Sequence, residues 1–229
     1  MTEWRVWTMN RINILGYSLD YMSVENAMNT ILEYIKNDHL NTIGLITRNS
    51  FLRCSEKEWW VQYMMTLDLG IIGESDILAA AGIDRGQVFD DVEENRYLDR
   101  FFWQMIRLDQ GFYILEDEQE TGEMLASYLK NNYPGIRILG VSGASGKENS
   151  SPDKIINHIN SVFPDVIISG LKGDLQDRFI LRHQNKILGK LWLNLGESPE
   201  LQKAVGIRRG WLQERKIRKS FRQILNKKI

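Results

Sequence analysis

Two segments of the sequence combine polar side chains with a turn that follows an apolar run. In the first, Thr47-Arg48-Asn49 follows the run 42–46. Open α/β sheets bind ligands at the carboxyl ends of their strands, so the Thr47 hydroxyl and the Asn49 amide are placed to address a sugar. The same residues also fit the start of a helix, because Asn49 or Ser50 is a good helix cap. The segment therefore predicts either a sugar-binding turn or a capped helix.

The second segment runs from Gly170 to Ile180 and follows the apolar run 165–169. Its glycines loosen a turn, and a predicted helix then begins with Gln176 and Asp177 in its first turn. These side chains could bind a ribose or a base. They could equally do no more than complement the positive end of the helix dipole.

The other chemical patterns are weak. The stretch Gly140–Lys147 resembles a phosphate-binding loop, but Val141 and Glu148 break the G-x-x-x-x-G-K-S/T spacing. No G-x-G-x-x-G follows the first predicted strand, which argues against a dinucleotide oxidoreductase. The three histidines have no metal-ligand spacing with a cysteine or with one another. We therefore expect no metal site.

The elements that must position these residues alternate along the chain. Apolar runs predict strands near 12–15, 42–46, 68–72, 111–115, 136–141, 165–169 and 190–194. Helices are predicted from the cap Ser23 to about Lys36, and near 50–65, 95–108, 119–132, 152–162 and 175–188. This order is typical of βα units on a parallel sheet. We expect a Rossmann-like single α/β domain with a mostly parallel sheet and a helical C-terminal appendage.

Composition narrows the class of protein. The chain has 229 residues, 43% of them hydrophobic, which is ample for a core. A formal charge of -1 gives no support to nucleic-acid binding. The single cysteine, Cys54, cannot form an internal disulfide, so we expect a reducing, cytosolic compartment. No apolar run approaches the ~20 residues of a spanning helix, so membrane contact is expected to be peripheral.

Charge is unevenly distributed along the chain. From Arg208 to the end, nine basic residues and one acid give +8, so the remaining residues carry -9. An apolar stripe of Ile217, Phe221, Ile224 and Leu225 runs through this tail at helical spacing. The combination indicates docking on an anionic membrane surface. The alternative is that the stripe packs on the body or on a partner subunit.

The sequence resembles the WecG/TagA/CpsF glycosyltransferases from Ile12 to about Phe221. The likeness is carried by Ile12–Gly16, Thr47-x-Asn49, Gly170-Leu171 with Gln176–Ile180, and Trp211 ahead of a basic helix. It implies metal-independent, cofactor-free, inverting transfer of a sugar from a UDP donor to an undecaprenyl-diphosphate-linked acceptor. The expected pathway is exopolysaccharide, capsule or teichoic acid synthesis. The expected location is cytoplasmic, peripheral on the inner face of the plasma membrane.

The resemblance assigns roles to individual positions. Thr47 and Asn49 match the family's T-x-N near the acceptor site, Gln176 matches the glutamine of its G-S-P-K-Q-E turn, and Asp177 replaces the following glutamate. These four are the expected substrate-binding residues. The appendage is placed at 207–229, after a domain at 1–206. Its expected contacts with membrane or lipid diphosphate are Arg208, Arg209, Trp211, Arg215, Arg218, Lys219 and Arg222.

The proton acceptor that an inverting transfer needs is absent from its usual place. The family has an aspartate in a P-D-G turn after the third strand, where this chain reads Ile72-Gly73-Glu74, with Gly73 at the aspartate's position. The nearest carboxylates, Glu74 and Asp76, are the candidates for a displaced catalytic base. A misplacement of ~1 Å can already cost ~100-fold in rate.

Two further turns depart from the family's pattern. Its R-V-x-G-x-D reads Asp91 to Arg96, with arginine and aspartate exchanged, and its Gly-Gly turn after the fourth strand reads Glu116-Asp117-Glu118. A carboxylate about 8 Å from a phosphate costs ~2 kcal/mol at an effective dielectric near 20, roughly thirtyfold in affinity. We therefore expect weak UDP binding, unless these acids turn away from the pocket.

Two functions follow as hypotheses. In the first, the chain is an active glycosyltransferase that uses Glu74 or Asp76 as base and binds substrate through Thr47, Asn49 and Gln176. In the second, it is a catalytically inactive accessory subunit that positions or activates a partner at the membrane, either a second copy or another glycosyltransferase. The three altered turns favour the second.

Overall fold

The computed structural model describes residues 10–54, 58–145, 151–195 and 211–227. In these ranges a six-stranded parallel sheet is flanked by helices, which confirms the predicted Rossmann-like α/β fold. Its strands are β3 Asn41–Ile46, β4 Leu69–Ile72, β5 Gly111–Glu116, β6 Arg137–Gly143, β7 Val166–Ser169 and β8 Leu191–Asn194. They lie in the order β4-β3-β8-β7-β5-β6.

The first predicted strand, 12–15, does not belong to this sheet. It forms β1 Asn10–Ile14, which pairs antiparallel with β2 Tyr17–Tyr21 in a separate hairpin. The reason lies in the turn, where Leu15 and Gly16 both have positive φ, 56° and 86°. Positive φ at both central residues gives the two-residue turn whose twist suits a hairpin. The chain therefore turns back on itself here instead of crossing over through a helix.

The helices largely follow the predicted apolar faces. They are α1 Val24–Lys36, α2 Arg48–Cys54, α3 Glu58–Thr66, α4 Ser75–Ala80, α5 Gln87–Glu93, α6 Arg96–Arg107, α7 Gln119–Asn132, α8 Pro152–Val162, α9 Gly173–His183 and α10 Trp211–Lys227. Where one helix was predicted over 50–65, α2 and α3 are seen, and 55–57 lie outside the described residues. The helix predicted over 175–188 ends at 183 and continues as the 3-10 turn Gln184–Lys186.

Two short helices, α4 and α5, were not predicted. They have six and seven residues, so neither shows enough turns for a helical period to stand out. Elsewhere the predicted start signals are in place. Ser23 Oγ accepts the Asn26 N–H at 3.3 Å and so caps α1.

The sheet is buried on both faces. Every residue of β3 and β5 is buried. Ile114 and Leu193 belong to the core on one face, and Tyr113 and Trp192 to the core on the other. Parallel sheets need this double cover, which explains the continuous apolar runs in the sequence.

The chain leaves the neighbouring strands β5 and β7 in opposite directions. From β5 it passes through α7 to β6, and from β7 it passes through α9 to β8 on the other side. Such a divergence opens a crevice at the carboxyl ends of the two strands, where α/β sheets bind ligands. Glu116, the last residue of β5, and Gly170, the first after β7, stand at this crevice.

The C-terminal helix α10 packs on α2. Phe221 is 2% exposed and its ring centroid lies 5.6 Å from that of Phe51. Leu225 also packs against the core. For these two residues of the apolar stripe, packing on the body is therefore the correct alternative, and insertion into a membrane is not. The predicted domain boundary at 206/207 lies outside the described residues and stays a prediction.

Replacing Phe221 with alanine should weaken the docking of α10. Truncating a buried phenylalanine costs ~3–5 kcal/mol, and we expect a loss toward the lower value because the helix can partly collapse onto Phe51. Urea unfolding followed by circular dichroism measures this loss. Arg222→Ala, one residue away on the exposed side, is the control and should change stability by less than ~0.5 kcal/mol. Equal effects of the two substitutions would mean that Phe221 does not anchor the helix.

Candidate functional site

A buried arginine stands at the carboxyl end of β3. Arg48 is the first residue of α2, and its side chain is 5% exposed. The helix begins there because Ser50 Oγ accepts the Thr47 N–H at 3.0 Å, while the Ser50 N–H donates to the Thr47 carbonyl at 2.9 Å. The predicted cap at Asn49 or Ser50 is wrong in position, because α2 begins at Arg48 and both residues lie inside its first turn.

Glu74 meets Arg48 from the adjacent strand. It follows β4 and its carboxylate Oε2 accepts the Arg48 backbone N–H at 2.7 Å and the Nε–H at 2.9 Å. Its Oε1 accepts from Nη2 at 3.3 Å. Both oxygens are thus directed to one guanidinium, and the Glu74 side chain is only 11% exposed. This bidentate geometry is the strong form of an arginine–carboxylate pair.

Two further acids complete the surroundings of Arg48. Asp76, in the first turn of α4, accepts from Nη1 at 2.6 Å. Glu214 of α10 accepts from Nη2. Arg218, one turn later in α10, lies with its Nε 3.4 Å from Asp76 Oδ2. We call these five residues the Arg48 cluster. It joins the ends of β3 and β4 to the C-terminal helix.

The electrostatics of the cluster hold Arg48 in its charged form. Burial alone would lower the Arg48 pKa. The charge and hydrogen bond of Glu74, together with the charges of Glu214 and Asp76, raise the pKa by more than burial lowers it, so the net shift is upward. Removing one partner from such a buried pair leaves a charge without compensation, which costs ~3–5 kcal/mol. The cluster is therefore a structural tie between the body and α10.

The cluster also determines what the two predicted catalytic carboxylates can do. A general base must reach the proton it removes, directly or through one water. Glu74 is nearly buried and engages Arg48 with both oxygens. Asp76 is 39% exposed and shares one oxygen between Arg48 and Arg218. Of the two, Asp76 is the carboxylate that remains accessible.

The backbone does not require glycine at position 73. A Cβ added to Gly73 would lie 3.4 Å from the Ile46 carbonyl oxygen and 3.6 Å from Leu45 Cβ, which are ordinary contacts. Gly73 is also absent from the positions of positive φ. A Cβ would therefore fit at Gly73, so a carboxylate at this position would need no change of backbone shape.

The predicted substrate-binding residues divide into two groups. Thr47 is buried at the start of α2, with Asn49 beside it and half-buried. Gln176 and Asp177 lie in α9, which starts at Gly173, and their side chains are outside the described residues. Substrate binding by these four stays a prediction.

The exchanged pair Asp91 and Arg96 keeps an ion pair. Arg96 Nη1 lies 3.0 Å from Asp91 Oδ1, and the other Asp91 oxygen accepts the Val24 N–H at 3.3 Å at the start of α1. Because its charge is already compensated, Asp91 adds little repulsion toward a nucleotide. It no longer supports the expectation of weak UDP binding.

Glu116 turns into the crevice between β5 and β7. Glu116 is 5% exposed to solvent. A Cβ added to Gly170 would lie 1.8 Å from Glu116 Oε1, so the carboxyl group rests directly on the glycine backbone. Burial, with the charge of Asp117, raises the Glu116 pKa from its ordinary value near 4.5 to about 7, against opposing effects of Lys172 and the Asp117 N–H. The Glu116 carboxyl group is thus directed into the crevice and not to solvent, and weak UDP binding stays a prediction.

Asp117 bridges the same crevice. Its Oδ1 accepts the Lys172 backbone N–H at 3.1 Å, and its Oδ2 lies 3.8 Å from Lys172 Nζ. Its carbonyl accepts the Ser145 N–H at 2.6 Å. The end of β5 is thus tied to the turns that follow β6 and β7. Glu118, the third acid of the run, is exposed.

The predicted membrane contacts lie on or before α10. Exposed side chains are seen for Arg215, Arg218, Lys219 and Arg222, together with Lys216. Arg208 and Arg209, and the side chain of Trp211, lie outside the described residues. No helix in the described parts of the chain combines the length and apolar composition needed to cross a bilayer.

The sequence contained a signal for Glu214 that its interpretation did not use. Glu214 is the one acid in a tail with nine basic residues. In the structure its carboxylate accepts a hydrogen bond from Arg48. Arg48 itself had no such signal, because its three carboxylate partners lie 26, 28 and 166 positions away in the sequence.

Glu116→Gln should change how stability depends on pH. Between pH 4.5 and about 7 the unfolded chain releases a proton that folded Glu116 retains, so wild-type stability falls as pH rises through this window. The loss is on the order of 3 kcal/mol, and glutamine, which does not ionise, lacks it. Urea unfolding of both proteins from pH 5 to pH 8 should show the variant gaining stability relative to wild type. Glu118→Gln, at the exposed neighbour, is the control, and curves parallel to wild type for both variants would contradict the assignment.

Comparison with known proteins places these features in a family. No curated protein matches the chain. The sequence model of the glycosyl transferase WecG/TagA/CpsF family matches residues 12–201, which include β3 to β8 and the body's part of the Arg48 cluster. The match covers most of the chain and agrees with the parallel α/β sheet. The chain therefore belongs to the WecG/TagA/CpsF glycosyltransferase family.

Proposed function

We propose that this family member serves cell-surface polysaccharide synthesis as a non-catalytic accessory subunit at the inner face of the plasma membrane. The observation that carries the proposal is the Arg48 cluster, in which both candidate bases are ion-paired to a buried guanidinium. In this role the fold is kept to position or activate a partner glycosyltransferase, or a second copy.

The argument begins with the proton. In inverting transfer, the acceptor hydroxyl must lose its proton as the anomeric carbon is attacked, and a positioned base typically contributes ~100-fold to ~10,000-fold. Gly73 offers no carboxylate, and Glu74 is held by three hydrogen bonds to Arg48. Freeing Glu74 would remove the hydrogen bonds that the Arg48 backbone N–H, Nε and Nη2 donate to it. A base that must first break a buried ion pair is a poor catalyst.

A second argument concerns the donor. UDP carries a diphosphate, and the crevice at which an α/β sheet would bind it holds the Glu116 carboxyl group. Asp117 already occupies the nearby Lys172 N–H. These contacts support weak UDP binding, independently of the base.

Active glycosyltransfer is the second candidate function, and the exposure of Asp76 favours it. At 39% exposure, its carboxylate is open to solvent at the start of α4. In this case Asp76 is the base, the donor is a UDP-sugar, and the acceptor is an undecaprenyl-diphosphate-linked sugar. The enzyme would be inverting and metal-independent, as the family is.

Turnover separates the two functions. The purified chain, given a panel of UDP-sugars and an undecaprenyl-diphosphate-linked acceptor, should transfer no sugar, and calorimetric titration with UDP should show no dissociation constant in the low-micromolar range. Transfer by the wild-type chain would refute the accessory role. In that case Asp76→Asn should lower turnover by ~100-fold or more, because an amide cannot accept the proton. Asp84→Asn, at an exposed acid outside the cluster, is the matched control and should leave turnover unchanged.

The location at the membrane is part of the proposal. The inner side of α10 is packed on the body, so docking would use its exposed basic side chains without inserting the apolar stripe. Each basic residue close to an anionic leaflet contributes ~1 kcal/mol at moderate salt. Attraction of this kind weakens as ionic strength rises.

Co-sedimentation with liposomes tests this docking. The chain should bind vesicles that contain anionic lipid, binding should fall steeply with added salt, and Lys216→Glu with Lys219→Glu and Arg222→Glu should abolish it. The matched control carries the same charge change at the exposed residues Arg100, Arg107 and Lys130, and should bind like wild type. Equal binding to neutral vesicles, or equal loss in both triple variants, would contradict docking through α10.

A further inference from the structure

We propose that Glu116 and Asp117 form an internal plug that closes the crevice between β5 and β7 to nucleoside diphosphates. The inference deepens the proposed function and rests on it, since it identifies the residues that would keep a donor nucleotide out of a non-catalytic family member. It depends on different side chains from those of the Arg48 cluster. The two can therefore fail separately.

The position of Glu116 is the first step. The carboxyl group lies on the bare backbone of Gly170, so closely that an added Cβ would overlap its Oε1 at 1.8 Å. On its other side is α7, where an added Gly122 Cβ would lie 3.6 Å from Glu116 Cβ. Gly170 thus makes room for the Glu116 carboxyl group, while a Cβ at Gly122 would lie at ordinary van der Waals distance from the Glu116 side chain. The space that neighbouring strands open by diverging is filled by a side chain of the protein.

Asp117 is the second step. An anionic ligand in this crevice would need N–H donors and a cation, and Lys172 supplies both at the start of α9. Asp117 takes the Lys172 backbone N–H at 3.1 Å and approaches its ammonium to 3.8 Å. These two donors of Lys172 are therefore already paired with a carboxylate of the chain itself.

The charge of the plug is the third step. Above pH ~7 the Glu116 carboxyl group is ionised, and a ligand with two phosphates would meet this charge while the Lys172 ammonium faces Asp117. One carboxylate about 8 Å from a phosphate lowers affinity roughly thirtyfold at an effective dielectric near 20. The bulk and the charge of the two side chains both lower the affinity for UDP. Replacing both residues with glycine removes bulk and charge, and should therefore raise UDP affinity more than amide substitutions, which remove the charge alone.

The experiment compares UDP binding by wild type and three double variants, measured calorimetrically at pH 8. Glu116→Gly with Asp117→Gly removes bulk and charge, and should bind UDP at least thirtyfold more tightly than wild type. Glu116→Gln with Asp117→Asn removes the charge alone and should gain less. Glu118→Gln with Glu120→Gln removes the same charge at exposed positions at the start of α7 and should match wild type. Uridine, which has no phosphate, should gain less than UDP in the glycine variant.

The outcomes separate the inference from the proposed function. If a folded glycine variant shows no gain for UDP, or the control pair gains as much, the plug is refuted while the accessory role stands. If the glycine variant does not fold, the amide variant decides, because its shape is unchanged: a gain for UDP supports the plug and no gain refutes it. Low-micromolar UDP binding by wild type refutes the plug. Sugar transfer by wild type, with weak UDP binding that improves in the glycine variant, refutes the accessory role and supports the plug.

Discussion

The burial of the Arg48 guanidinium is the constraint on which this edge of the molecule depends. Removing a charge from water costs several kcal/mol unless partners replace the lost hydration, and arginine presents five N–H donors. Carboxylates from three elements meet this need, namely Glu74 after β4, Asp76 in α4 and Glu214 in α10. Because α10 supplies one of the three, the same side chain sets the position of the C-terminal helix and of both candidate bases. Two of the carboxylates that compensate Arg48 are thus the same two that the sequence predicted as catalytic bases.

Carboxylates of the chain also occupy the crevice at the carboxyl ends of β5 and β7. Active sites keep polar groups unsatisfied for their ligands, often at a cost in stability. Here Glu116 rests on Gly170, and Asp117 is paired with Lys172. Groups that could face a ligand face one another instead. The Arg48 cluster lies at β3 and β4, and the Glu116 and Asp117 contacts lie at β5 and β7. Because the two groups of contacts are separate, together they support the accessory role more strongly than either does alone.

Most of the fold could be predicted from the sequence because buried parallel strands leave continuous apolar runs. Where that signal is weak, the prediction failed. The turn at Leu15-Gly16 lacks the Asn-Gly or Asp-Gly pair that indicates a hairpin, and α4 and α5 are too short to show a period. At the candidate site, the sequence indicated Glu74 and Asp76 as carboxylates in or next to the turn that follows β4. It could not show that Arg48 binds them, because these contacts join residues 26 and 28 positions apart on different elements.

The three departures from the family's pattern look alike in the sequence but differ physically. The exchange of Asp91 and Arg96 preserves an ion pair, so it changes the order of two residues and leaves their contact in place. Gly73 removes a carboxylate and leaves room for one, so it changes chemistry alone. Glu116 fills space and adds charge at the crevice, so it changes both. Only the last two support the proposed accessory role. The argument for a non-catalytic role therefore depends on what each substituted side chain touches, and not on the number of substitutions.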